Sequence, residues 1–119
     1  MASHGEKMQA SVTIAAVLSS VAFLLYGASL FGARAMVAEF ERYRLAPYRT
    51  LVGALEMAAG AGLLAGLRFR PLLLLSAGGL AAMMLVGLVV RLRVGDPLVS
   101  AIPAVVLLCL NLFIVLAAA

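Results

Sequence analysis

Charge is what this sequence has least of: nine Lys or Arg and five Asp or Glu in 119 residues, 12% of the chain, against 66% hydrophobic. Ordinary soluble domains carry about 25% charged and about 45–50% apolar residues. So few charges cannot cover a soluble fold, and so apolar a chain cannot stay disordered in water. Cysteine occurs once, at Cys109, which rules out an internal disulfide and any CxxC pair for dithiol chemistry or metal binding. Histidine also occurs once, as His4 in the N-terminal tail. Nothing resembles a haem, flavin or iron–sulfur site, so neither autonomous redox catalysis nor an intrinsic cofactor or metal is expected. The polar/apolar alternation of a membrane β-barrel, in segments of about ten residues, is missing as well.

What is present is a series of long apolar runs rich in Ala, Leu and Gly. A spanning helix needs about 20 such residues, so the chain has room for at most four. The expected fold is all-α: one membrane domain over 1–119, a four-transmembrane-helix bundle with spans near 10–32, 47–67, 71–93 and 97–118. Residues 8–33 carry no charge, a run too long for the h-region of a signal peptide. Residues 34–45 differ in kind. At 100° per residue Ala33, Met36, Val37, Phe40 and Tyr43 share one helix face, and Arg34, Ala38, Glu41 and Arg42 the other. That pattern suits an interfacial amphipathic helix after helix 1, or simply an anchoring connector.

Local signals punctuate the runs. Pro47 and Pro71 suit first helical turns, and Gly95 suits a helix stop. Asp96 before Pro97 suits an N-cap, and Pro103 should kink the last helix or mark where its regular part begins. Six bases (Arg34, Arg42, Arg44, Arg49, Arg91, Arg93) fall in the 34–49 and 91–96 connections, against Lys7, Arg68 and Arg70 on the other side. The positive-inside rule then places both charged connections in the cytoplasm and both termini outside. Arg in preference to Lys, with abundant Ala and Gly, fits a high-GC bacterial genome and hence a bacterial inner membrane. In that setting the bases face anionic lipid, and no nucleic-acid partner is expected. Small residues recur every four positions at Ala28/Gly32, at Ala58/Gly62/Gly66 and, around Met83, at Gly79/Gly87. These rows predict close helix contacts, and the second would suit a homo-oligomer if it faced outward.

Glu56 stands apart. Nine residues past Pro47, it lies about 14 Å into a hydrocarbon layer about 30 Å thick. A carboxylate there costs at least about 2.5 kcal/mol and faces the bundle interior, either in an interhelical hydrogen bond or in a functional pocket. Its helix neighbours Val52, Gly53, Ala59 and Gly60 leave room for a partner, water or a ligand. Groups at reachable depth define a candidate polar pocket of Glu56, Arg91, Tyr26, Arg49, Ser29 and, about 7 Å deeper, Asn111. Arg93, Asp96 and Glu39 stand near its mouth, where snorkelling and capping are the plain alternatives.

Four segments then carry a resemblance: Tyr26-Gly-Ala-Ser-Leu-Phe-Gly, Met36-Val-Ala-Glu-Phe-Glu-Arg-Tyr-Arg-Leu, Leu51-Val-Gly-Ala-Leu-Glu-Met and Val90-Arg-Leu-Arg-Val-Gly-Asp-Pro-Leu. With the Pro103 helix and Asn111, this ordered set resembles the DoxX-like family of small bacterial membrane proteins. The resemblance implies a four-helix bundle with an interfacial segment, and it singles out Glu56, Arg91, Arg93, Asp96 and Glu39. Many relatives carry Cys or Lys beside the stretch that here reads Ser29-Leu30-Phe31, which argues against a thiol or Lys mechanism. It implies association with quinone-linked oxidation, redox homeostasis complexes or receptor assembly, so it fixes fold better than function. Three functions follow: an accessory or assembly subunit docking on other membrane proteins, a quinone- or lipophile-binding subunit of an oxidoreductase complex, and a small proton-coupled transporter. The third ranks last, because small multidrug transporters carry their acid on the first helix.

Overall fold

The protein's computed structural model describes residues 4–119. Among these, all regular structure is helical: α1 (His4–Ser29), α2 (Arg34–Arg42), α3 (Arg49–Ala65), α4 (Arg70–Arg93) and α5 (Ile102–Ala118). Short 3-10 turns at Ala46–Tyr48 and Leu98–Ala101 lead into α3 and α5. Three helical stretches, Gly5–Ser29, Arg70–Arg93 and Leu98–Ala118, are long and apolar enough to cross a membrane. With 17 residues, α3 is shorter than the usual span. Helix α1 starts earlier and stops sooner than the apolar run suggests. Hydropathy reports where lipid begins, whereas the helix continues through polar residues whose backbone bonds it satisfies. Ser11 and Thr13 donate back to the Lys7 and Gln9 carbonyls there. At the other end, Leu30 and Phe31 bond three residues back and tighten the last turn.

Proline and left-handed residues set the remaining boundaries. Pro47 sits in the 3-10 turn, Pro71 in the first turn of α4, and Pro103 at the start of α5, where regular α-helix takes over. Helix α4 ends with Gly95 at φ 76°. The Gly95 and Asp96 amides bond back to the Leu92 and Arg91 carbonyls, a Schellman closure. Helix α2 closes the same way, with the Arg44 and Leu45 amides on Glu41 and Phe40. There Arg44, not glycine, takes the left-handed position at φ 60°. Asp96 caps no helix: its carboxylate is turned toward α2 instead.

Four helices form a closed ring in the order α1–α3–α4–α5, and α2 lies outside it. Each contributes one fully buried large side chain to the centre: Phe23, Leu63, Leu80 and Ile114. Buried polar groups are satisfied partly across helices and partly within one. Ser19 donates to Asn111 Oδ1 at 3.0 Å, Asn111 Nδ2 to the Leu107 carbonyl at 2.8 Å, and Ser20 to the Gly60 carbonyl at 2.8 Å. Where α1 meets α3, glycine faces glycine. A Cβ on Gly27 would stand 2.9 Å from the Gly53 carbonyl oxygen, and one on Gly53 3.0 Å from that of Gly27. Gly62 and Gly66 face Ser76 and Leu73 of α4, so these two serve the chain's own packing, while Ala58 of the same row is exposed. Gly32, Gly79 and Gly87 meet nothing within 4 Å of a Cβ position. Thus α3 and α4 are pressed together beside the turn that joins them, and the far part of α4 has open space beside it.

Candidate functional site: a cavity under helix α2

Gly87 borders a cavity of about 350 Å³ with walls from all five helices. Apolar side chains dominate it, among them Leu30 just after α1, Val52 from α3, Met83 from α4 and Leu107 from α5. Helix α2 covers one end with Met36 and Phe40, the apolar face of its amphipathic pattern. Glu56 stands in the wall, only 6% exposed, and its Oε2 has no hydrogen-bond partner. A buried carboxylate oxygen left unsatisfied is costly and uncommon, and it marks a place where another polar group fits.

A cluster of polar side chains forms the mouth. Arg91 Nη1 donates to Glu39 Oε1 at 3.2 Å. The Tyr43 hydroxyl lies 3.2 Å from Glu39 Oε1 and 3.2 Å from Asp96 Oδ2, and its single proton serves one carboxylate at a time. Arg42 bonds Asp96 and stands 3.9 Å from Glu39. Both guanidinium groups lie over the Tyr43 ring, Arg42 at 4.9 Å and Arg91 at 5.8 Å from its centroid, within cation–π range. The cluster therefore fastens α2 to the end of α4 and the loop after it. Its hydrogen bond to Arg42 holds the Asp96 carboxyl below the ordinary carboxylate range, and the same bond raises Arg42. Partial burial, assisted by Glu39 and Asp96 against the opposing pull of Arg91, pushes the Tyr43 phenol up to about 12.

Of the residues singled out in the sequence, Glu56, Arg91, Tyr26 and Glu39 line the cavity together, and Asp96 joins through Arg42 and Tyr43. The others lie elsewhere. Arg49 donates to the Leu30 carbonyl, tying the start of α3 to the end of α1. Ser29 bonds the Tyr26 carbonyl at 2.6 Å within its own turn, and Asn111 is held by Ser19 and Leu107. Arg93 is exposed beyond the mouth. Sequence reasoning missed Tyr43 and Arg42 as parts of the mouth. The available signal was Tyr43 four residues after Glu39, which stacks the two on one helix face.

The model of the DoxX-like family matches residues 12–114, nearly the whole chain and every residue of the cavity. The chain belongs to the DoxX-like family. No curated protein and no solved structure matches it. In this DoxX-like protein the site is thus a half-open apolar cavity, with the buried Glu56 Oε2 unbonded in its wall and ion pairs at its mouth.

Proposed function

We propose that this DoxX-like protein is a small accessory subunit of the bacterial inner membrane that holds a lipophilic molecule in the cavity beneath α2. One observation carries the reading: an apolar space of about 350 Å³ walled by every helix, with polar side chains limited to Glu56, Tyr26 and the mouth. This is the composition of a small-molecule site, in which apolar walls supply affinity and a few polar groups fix orientation. Helix α3 serves as the fourth crossing, extended by the 3-10 turn before it, and α2 lies at the interface with its charged face toward lipid headgroups. The charged connections face the cytoplasm. A quinone suits the site as a lipophile with a polar head, in which case electrons come from a partner that carries the cofactor. The long exposed apolar faces are available for lipid and for such a partner.

The test is extraction from the native membrane in mild detergent, followed by mass spectrometry of bound lipids, small molecules and proteins. A lipophile retained at about one per chain, together with a co-purifying membrane oxidoreductase, supports the reading. Proton-driven counterflow by the pure protein in liposomes would instead make it a transporter. No retained lipophile, with only a partner's abundance falling on deletion, would leave an assembly role alone.

A further inference from the structure

The cavity's charges do not balance. Its lining includes two carboxylates, Glu39 and Glu56, and one guanidinium, Arg91. Arg91 is already engaged with Glu39, and outside the lining Arg42 is engaged with Asp96. Arg49 lies about 10 Å along α3 from Glu56, does not line the cavity and donates to the Leu30 carbonyl. Glu56 is thus the one cavity acid that no base answers, and its Oε2 is buried without a partner. Access is from the side. Leu55 of α3 is 49% exposed and Val86 of α4 62% exposed, yet both also line the cavity. Both belong to apolar stretches of α3 and α4, so the cavity is open to the bilayer along these helices as well as at the polar mouth.

We infer that the cavity takes a lipophilic amine from the bilayer, its nitrogen against Glu56 and its hydrocarbon body between α3 and α4. This rests on the lipophile-binding reading and names the ligand class for it. The chemistry is complementary in either proton arrangement. A neutral carboxyl donates O–H to a neutral amine nitrogen, and a carboxylate accepts N–H from an ammonium; the proton shifts within the pair and nothing else changes. An acceptor-only head such as a ketone is served only by the protonated carboxyl, and a carboxylate head repels the ionised one. A hydroxyl head bonds Glu56 without the charge-assisted component, which roughly doubles a hydrogen bond's strength.

Three probes with the same cage test this: 1-adamantylamine, 1-adamantanol and 1-adamantanecarboxylate, titrated calorimetrically into the protein in nanodiscs, with empty nanodiscs subtracted. The amine should bind about tenfold to a hundredfold more tightly than the alcohol, and the carboxylate most weakly. Glu56→Gln should erase the amine's advantage and leave the alcohol unchanged. Gly87→Leu, placed where a Cβ meets open space in the lining, should abolish binding of all three while strengthening the helix. An amine no tighter than the alcohol, or an advantage that survives Glu56→Gln, overturns the amine assignment; binding that still disappears with Gly87→Leu keeps the lipophile site. Failure of all three probes and of a short-chain quinone on the native protein overturns both. Should Glu56→Gln not fold, the ranking of the three probes on the native protein decides alone.

Discussion

At Gly27 and Gly53 a single hydrogen in place of a methyl group decides how near two helices come. Lipid tails are as apolar as leucine, so helices in a membrane associate by close backbone contact and by hydrogen bonds. Gly27→Ala should therefore cost about 1–3 kcal/mol of overpacking, of which the helix propensity of alanine offsets at most about 1. A lower unfolding temperature in detergent, unmatched by Gly32→Ala, is the expected result. Ser19→Ala removes the bond to Asn111 and should cost about 0.6–1.7 kcal/mol, read from the same unfolding curves. Glycine spacing in the sequence marks candidate contacts but not their direction. The Ala28/Gly32 row looks outward while Gly27, one residue away, faces α3, because the phase of α1 against its neighbours is set by the whole ring. Glu56 is conspicuous in the sequence as an acid inside an apolar run. Nothing in that sequence reveals that Arg49 would turn to a carbonyl and not to Glu56.

Helix α2 has no buried residue, and what holds it is the cluster of Glu39, Arg42 and Tyr43 with Arg91 and Asp96. Its amphipathic face is legible from periodicity alone. Its partners are not, because they lie more than fifty residues away along the chain and local pattern cannot say which carboxylate meets which guanidinium. Asp96 shows this well: an Asp–Pro pair reads as a helix cap, but the pull of Arg42 is stronger. Asp96→Asn should loosen α2, seen as at least several-fold faster amide exchange over residues 34–42 with α4 unchanged. The cluster also fixes a pH window. Asp96 titrates below its ordinary 3.8 when folded, so its contribution is present above about pH 4 and lost as pH falls through the lowered value. Tyr43 titrates at about 12 instead of 10.0, so its contribution is complete below pH 10 and lost as pH rises toward 12. A phenolate absorbance step near pH 12 that disappears in Tyr43→Phe checks the upper limit.

The molecule is 50 Å long and 26 by 19 Å across, proportions that suit a short bundle standing in a bilayer. Composition alone places it there, since 66% hydrophobic residues leave no other solvent for it. Orientation rests on six bases against three. With Cys109→Ser as background, Glu41→Cys should react with an impermeant maleimide only from the cytoplasmic side, and Arg68→Cys only from the other. The reverse pattern would invert the bundle and place the cavity mouth outside the cell. Family membership gives a fold shared across different roles, so function has to be read from the cavity. The function turns on whether Glu56 meets an occupant there. Its most direct test is the infrared difference spectrum of the protein in nanodiscs, with and without 1-adamantylamine. The expected result is a change in the carboxyl stretching region that vanishes in both Glu56→Gln and Gly87→Leu. A bound amine that leaves that region unchanged would contradict it.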